Sequence, residues 1–293
     1  MTTGAAYEYL TRVLRLRAAY DPREAASVAD LVMESRLGLR RMDRILRNRE
    51  AVPPARAALL ETDLAALLQG RPVQYVLGEA WFDGLLLRVN EEVLIPRPET
   101  EELVHWIAED ARALRILDIG TGSGCIPVAL AKRLPQAEIH ALDVSPGALA
   151  VARSNAERYQ TSIHFYETNF LDETTWATLP DIDILVSNPP YIAESEKSTM
   201  HDRVLSQEPH LALFVPDSDA LLFYRKMAQF ALKHLRAGAA LYFEINEALG
   251  GQTTELLVAE GLREVTLRQD MQGKDRMIRA TVPYYPPTTP YAH

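Results

Sequence analysis

The sequence predicts an α/β fold: a mainly parallel seven-stranded sheet with helices on both faces, preceded by a small helical N-terminal domain and a β-hairpin linker. Three observations carry that expectation. From about residue 112, short apolar strand patterns alternate with helical ones, as a parallel sheet with crossover helices requires. A glycine-rich turn, Gly120-Thr-Gly122-Ser-Gly124, separates the first such strand from the helix after it. The first 76 residues read as helical, with two helix starts marked by proline.

In chain order, Asp21-Pro22 supplies an N-cap and a proline at the first helical position, and an Ala/Val/Leu/Met run follows. A second start at Val52-Pro53-Pro54 leads into an Ala/Leu-rich stretch that stops at Gly70. Between them Arg36, Arg40, Arg44 and Arg47 recur at helical steps, which predicts four arginines along one helix face, either solvated or docking an acidic protein partner. Residues 79–90 predict a short hairpin turning at Asp83-Gly84. A proline-stiffened connector, Val93-Leu-Ile-Pro-Arg-Pro-Glu-Thr-Glu101, then enters a helix near 99–110.

The expected strands of the sheet are 115–119, 138–143, 163–166, 183–187, 239–245, 262–268 and 276–282, the last two antiparallel. Helices are expected at 126–134, 146–159, 219–235 and 249–260. The predicted domains are residues 1–76 (helical), 77–97 (hairpin and connector), 98–282 (sheet domain) and 283–293 (a loosely ordered tail).

With 47% hydrophobic and 24% charged residues, the chain has a globular balance. No stretch approaches the roughly 18–20 apolar residues of a membrane span, and the N-terminus lacks a signal-peptide layout, so no membrane partner is expected. The single cysteine, Cys125, excludes an internal disulfide and fits a reducing cytoplasm. Seven histidines lack metal-ligand spacing, so no metal is expected; His201 and His210 read as surface loop histidines. Net charge is −9, divided as +3 over residues 1–75 and −12 over the rest. An acidic chain without a basic patch is poorly suited to phosphate backbones, and no direct nucleic-acid partner is expected.

The glycines of Asp118-Ile-Gly120-Thr-Gly122-Ser-Gly124 let the backbone turn tightly and approach a ligand closely. The loop is not a P-loop, nor does its spacing match GxGxxG. Asp143 ends the second strand of the sheet, where an acid can bond both ribose hydroxyls of an adenosyl group. Cys125, directly after the loop, has no evident activating partner and reads as a small buried residue.

Ser187-Asn188-Pro189-Pro190-Tyr191 leaves the fourth strand at its carboxyl end, where open α/β sheets bind ligands. A planar NH2 group is a poor nucleophile because its lone pair is delocalised. An Asn side-chain oxygen and a backbone carbonyl, here that of Pro189, can each accept one N–H and favour charge build-up on the nitrogen. The prolines stiffen the loop, and Tyr191 offers a flat face to a planar group. This pattern resembles that of Rossmann-like amino-methyltransferases acting on adenine N6, cytosine N4 or glutamine N5, in which a GxGxG loop holds S-adenosylmethionine.

Three further stretches, Pro72-Val-Gln-Tyr75, Gly78-Glu-Ala-Trp-Phe-Asp-Gly84 and Ile95-Pro-Arg-Pro-Glu-Thr-Glu101, resemble the N-terminal signature of the HemK/PrmC family. The likeness covers about residues 20–282. It implies a class I methyltransferase fold and a cytoplasmic enzyme that methylates N5 of the glutamine in the Gly-Gly-Gln motif of class I peptide chain release factors, acting in translation termination as a monomer. It implies that Gly120, Thr121, Gly122, Ser123, Gly124 and Asp143 hold S-adenosylmethionine, with Asn169 after the third strand and Asn188 also in contact. Asn188, Pro189 and Tyr191 would be the catalytic set, and Pro190 would join them in holding the glutamine amide. Arg97 and Glu99 would organise the connector beside the site. The alternatives are an amino-methyltransferase acting on adenine or cytosine in nucleic acid, a non-catalytic cofactor-binding scaffold and a nicotinamide dehydrogenase. The first would need a strand-binding channel, the second would bind cofactor without turnover, and the third lacks an obvious hydride-transfer site.

Overall fold

A computed structural model describes residues 1–18, 20–110, 115–199 and 207–284. Among the described residues the chain forms two compact units, one of residues 1–79 with Gln207 and one of residues 80–199 with 208–284. The tail from 285 onward and His201 lie outside the described residues.

In the first unit, α1 (Thr3–Arg17) starts at Thr2, whose hydroxyl accepts the Ala5 N–H. Helix α2 (Pro22–Leu37) starts at Asp21, whose carboxylate accepts the N–H groups of Arg23 and Glu24. Gly38, at φ 67°, ends α2 in the left-handed conformation that glycine adopts without strain. Short α3 (Arg41–Leu46), α4 (Pro54–Leu68) and α5 (Val73–Leu77) follow. Leu10, Leu14, Val32, Met33, Leu64 and Leu67 form the centre of their shared core.

The expectation of four arginines on one helix face is corrected here. Gly38 breaks the helix, leaving Arg36 in the last turn of α2, Arg40 as the N-cap of α3 and Arg47 as its C-cap. Each arginine is also engaged with an acid. Arg36 grips the buried Asp63 through two bonds of 2.7 and 3.1 Å and also donates to the Val76 carbonyl. Arg44 lies over the Tyr7 ring and reaches Asp30 at 2.8 Å. Arg40 pairs with Glu34 and Arg47 with Glu50. These contacts tie the helices of the unit to one another. The four arginines therefore do not form one stripe on a single helix face.

At the start of the second unit β1 (Glu79–Phe82) and β2 (Leu85–Arg88) make the hairpin, with Asp83 at φ 49° and Gly84 at φ 73°, as a two-residue type I′ turn requires. The Asp83 carboxylate takes hydrogen bonds from Arg133 and pairs with His105, and both interactions hold it below the usual carboxylate range against the opposing effect of burial. Helix α6 (Pro98–Asp110) leads to the sheet strands β3 (Arg115–Ile119), β4 (Glu138–Asp143), β5 (Ile163–Glu167) and β6 (Ile184–Ser187). A two-residue parallel pair, β7 (Ile192–Ala193) and β8 (Phe214–Val215), precedes β9 (Ala240–Glu244), β10 (Arg263–Gln269) and β11 (Asp275–Thr281). Helix α6 packs on the sheet together with α7 (Cys125–Arg133), α8 (Pro146–Arg158), α9 (Leu222–His234) and α10 (Gly250–Glu260).

The sheet order is β10-β11-β9-β6-β3-β4-β5, parallel except for β11, which runs antiparallel to both of its neighbours. Side chains alternate between two cores: Leu117 and Ile119 join Phe230, Leu241 and Phe243 on one face, while Ile116 joins Trp106, Leu130 and Ile139 on the other. Strands β6 and β9 are buried on both faces, which explains their unbroken apolar runs.

Asp63→Ala should destabilise the protein by about 3 kcal/mol, because it strands the Arg36 guanidinium. Arg40→Ala, with a side chain 73% exposed, should change stability by less than about 0.5 kcal/mol. Urea unfolding of both variants checks the contrast, and equal effects would make the Arg36–Asp63 pair an ordinary surface contact.

Candidate active site

Strand β3 is the point where the sheet order reverses: β4 lies on one side and β6 on the other. The chain leaves β3 and β6 at their carboxyl ends, and between those exits opens a cavity of about 510 Å³. Gly120, Thr121, Gly122, Ser123, Asp143, Asn169, Asn188, Pro189 and Pro190 all line it, so the structure brings together residues from the carboxyl ends of four strands, β3 to β6.

The glycine loop is held by its neighbours' backbone and by buried side chains. The N–H groups of Gly120 and Thr121 both donate to the Leu142 carbonyl at 3.0 Å. The Gly122 N–H donates to Asp143 Oδ2 at 2.8 Å, while Asp143 Oδ1 accepts the Ser145 N–H at 2.9 Å. Asp143 is thus fixed through both oxygens, with further lone pairs left on each. From behind, the fully buried Asn155 donates to the Ser123 and Arg88 carbonyls and accepts the Arg88 N–H, which joins the loop to the hairpin. The three glycines do different work. Gly120 (φ 73°) and Gly122 (φ 52°) face open space where a Cβ would meet nothing within 4 Å. Gly124 does not line the cavity: its missing Cβ lets α7 approach Ala152, whose Cβ would lie 3.0 Å away.

Asn188, the first residue after β6, donates through Nδ2 to Thr100 Oγ1 at 3.2 Å. Thr100 donates onward to Glu244 Oε2 at 2.5 Å, and Tyr191 donates to Glu244 Oε1 at 3.3 Å. The Asn188 Oδ1 and the Pro189 carbonyl accept no hydrogen bond among the described residues. Tyr191 is not part of the cavity lining. It packs against the core, and burial with the adjacent Glu244 carboxylate pushes its phenol far above the ordinary range. It is therefore a neutral donor at physiological pH and not a base.

The connector is secured by Glu208, which accepts from Arg97 at 2.6 Å and from the Ile95 N–H at 3.2 Å. Asn169 lines the cavity and accepts the Leu171 N–H on its Oδ1 at 3.1 Å. Phe170, next to it, is core. His210, exposed and edge-on to Phe214, is at the cavity wall and not merely in a surface loop. Burial pushes the Cys125 thiol up to about 12, which removes it as a nucleophile at neutral pH. Sequence reasoning did not find Thr100, Glu244, Glu208 or Asn155. Glu244 had a local signal, a lone acid inside Ala-Leu-Tyr-Phe-Glu-Ile, and Thr100 stood inside the quoted connector signature.

Asp118 faces the opposite side of β3 from Leu117 and is fully buried beneath the loop. Its two oxygens and the hydroxyls of Thr121 and Ser123 find no hydrogen-bond partner among the described residues. Burial pushes the Asp118 carboxyl up to about 7; the nearby Thr121 hydroxyl opposes this and the Asp143 charge adds to it. With a folded-state value above the 3.8 of a free carboxyl, the folded form holds the proton. The associated stability is complete below about pH 4 and lost as pH rises to about 7. Asp118→Asn should therefore stabilise the ligand-free protein by an amount that grows from pH 4 to 7 and levels off, reaching a few kcal/mol at about 1.4 kcal/mol per unit. Denaturation midpoints at pH 5, 6, 7 and 8 test this, and a pH-independent difference would exclude it.

Residues 98–212 match the methyltransferase small domain, and residues 12–78 match the PrmC N-terminal domain. The chain is 45% identical over 273 residues to the release factor glutamine methyltransferase of Flavobacterium psychrophilum, covering 91% of this chain and 95% of that protein. It is 41% identical to the one from Bacteroides thetaiotaomicron, covering 90% and 95%. Among solved structures it is similar to the hMettl16 catalytic domain in complex with a MAT2A 3'UTR hairpin, with TM-score 0.56, 18% identity, and coverage of 83% of this chain and 86% of that one. At that identity the likeness speaks for the fold alone.

Proposed function

The chain belongs to the release factor glutamine methyltransferase family, and from that premise we propose that it transfers a methyl group to N5 of the glutamine in the Gly-Gly-Gln motif of class I release factors. The observation that carries the site reading is the orientation of Asn188. Its NH2 is committed to Thr100, which turns Oδ1 toward the cavity as an acceptor. That oxygen and the Pro189 carbonyl would each take one N–H of the substrate amide, holding its nitrogen and favouring the positive charge that develops on it. Pro190 stiffens the exit, and Tyr191 anchors it from below.

S-adenosylmethionine is the cofactor, and when bound it supplies an electrophilic methyl group on a positively charged sulfur. The residues present fit it. Gly120 and Gly122 leave room that any Cβ would occupy. The Thr121 and Ser123 residues of the loop line the cavity with hydroxyls that meet no geometric hydrogen-bond partner among the described residues. Asp143 retains lone pairs for ribose hydroxyls, and Asn169 lines the same cavity. Because the acceptor is positioned and not deprotonated in advance, orientation supplies most of the rate. In this reading the enzyme works as a monomer in the cytoplasm, on a protein and not on a nucleic acid. Methylation of adenine or cytosine, the other reading of Asn-Pro-Pro-Tyr, is not favoured by relatives named for release factors.

Mass spectrometry of an unmethylated class I release factor incubated with the protein and S-adenosylmethionine should show one added methyl on the Gly-Gly-Gln glutamine. Label incorporated instead into DNA or RNA would move the reading to nucleic acid. Asn188→Ala should lower kcat about 10²- to 10³-fold with cofactor affinity near wild type. Comparable loss of both would make Asn188 chiefly a wall of the cofactor site.

A further inference from the structure

The groups that set the direction of the Asn188 amide are not in its own loop. Thr100, in the first turn of α6, is 2% exposed, and Glu244, at the end of β9, is 1% exposed. An ionised carboxylate only accepts hydrogen bonds, so the Thr100 hydroxyl must spend its single proton on Glu244 Oε2. The 2.5 Å separation falls in the range of hydroxyl bonds to a charged acceptor. With its proton so committed, Thr100 Oγ1 can only accept on the side facing Asn188. That side therefore requires the NH2 of Asn188 and rejects its carbonyl, since a flipped amide would bring two acceptors together. The second carboxylate oxygen takes the Tyr191 hydroxyl, so one buried acid fixes both ends of Asn188-Pro-Pro-Tyr191.

We propose that Glu244 and Thr100 are positioning residues of this enzyme: the carboxylate, acting through the threonine hydroxyl, sets the polarity of the Asn188 amide so that its oxygen faces the reacting nitrogen. Burial is the largest influence on Glu244 and raises its carboxyl above the usual carboxylate range; the Thr100 hydroxyl, the positive charge of Arg276 and the Tyr191 hydroxyl act against that rise, and Glu99 adds to it. The geometry assigns the carboxylate form, because the hydroxyls of Thr100 and Tyr191 both donate to its oxygens. Arg276 is itself held by Asp270, at the turn between β10 and β11, and by Glu247, just after β9. Neither positioning residue is asked to touch the reacting atoms. The inference rests on the reading of Asn188 as the acceptor of the substrate amide.

The test is a double-mutant cycle on the full chain, with a readout that does not depend on turnover. Thr100→Val keeps the shape and removes the acceptor. It should lower kcat about 10- to 100-fold, leaving the S-adenosylmethionine Kd and the release-factor KM within a few-fold. Thr100→Ser, which restores the hydroxyl, should recover most of the rate. In an Asn188→Ala background Thr100→Val should cost nothing further, because the group it orients is gone. Glu244→Gln, which no longer forces the hydroxyl to donate, should reproduce the loss if the valine variant fails to fold. An equal loss in both backgrounds, or wild-type kcat in Thr100→Val, overturns the proposal. Independently, the side-chain NH2 signals of Asn188 in 15N-labelled protein, identified by their absence in Asn188→Ala, should exchange with solvent faster in Thr100→Val. Unchanged exchange also overturns it. If the wild type methylates no release factor but the exchange result holds, the amide orientation stands and the assigned substrate is what fails.

Discussion

Everything in the catalytic unit follows from the parallel pairing of β3 with β4 on one side and β6 on the other. Parallel strands place all of their carboxyl ends at one edge of the sheet, and the reversal of strand order at β3 sends the following connections in opposite directions. The chain leaving β3 turns back as the glycine loop toward β4. The chain leaving β6 departs on the other side as Asn188-Pro-Pro-Tyr191. A crevice is unavoidable between them, and it collects the backbone of one loop, the acid ending β4 and the amide following β6. The chemistry is assembled there without any residue having to leave its natural strand end.

Position alone would leave these loops soft, and the structure stiffens each from outside itself. The glycine loop is pinned in front by Leu142 and Asp143 and behind by Asn155. The connector is pinned by Glu208 through Arg97 and the Ile95 N–H. The amide loop is pinned by Glu244 through Thr100 and Tyr191. All three pins use a buried polar group with several bonds, the arrangement in which desolvation makes a missing partner most costly and alternatives least accessible. The same low dielectric acts on Asp118, buried beneath the glycine loop, where burial outweighs the opposing Thr121 hydroxyl and raises its carboxyl.

The sheet strands were legible because buried parallel strands are short apolar runs bounded by turns, and the alternation with helices fixed their class. Gly120, Gly122, Asp143 and Asn188 were legible because each sits at a strand end whose position the pattern already set. The arginines of residues 36–47 were misread because spacing was weighed without Gly38, whose left-handed conformation ends one helix before the next begins. The Thr100–Glu244 and Arg97–Glu208 contacts were not legible at all. They join residues 144 and 111 positions apart, and local spacing holds no record of which strand end a distant helix turn will meet. Tyr191 shows the same limit within a motif: its neighbours line the cavity while its ring turns to the core, a choice made by Glu244.

A division of labour follows for the rate. On the proposed reading, the atoms that take the substrate amide are neutral: the Asn188 side-chain oxygen and the Pro189 carbonyl. The charged group, Glu244, stands one hydroxyl further away. A carboxylate in direct contact would hold the amide strongly in its ground state as well as in the transition state, and uniform binding of that kind does not raise kcat. Set back behind Thr100, the same charge serves to orient, so its desolvation is met in folding and not at the moment of reaction. A poor nucleophile such as an amide nitrogen gains most from an acceptor that needs no rearrangement as charge develops. The burial of Thr100 and Glu244 provides one, since each is already held by its partners, Thr100 between Glu244 and Asn188 and Glu244 between Thr100 and Tyr191.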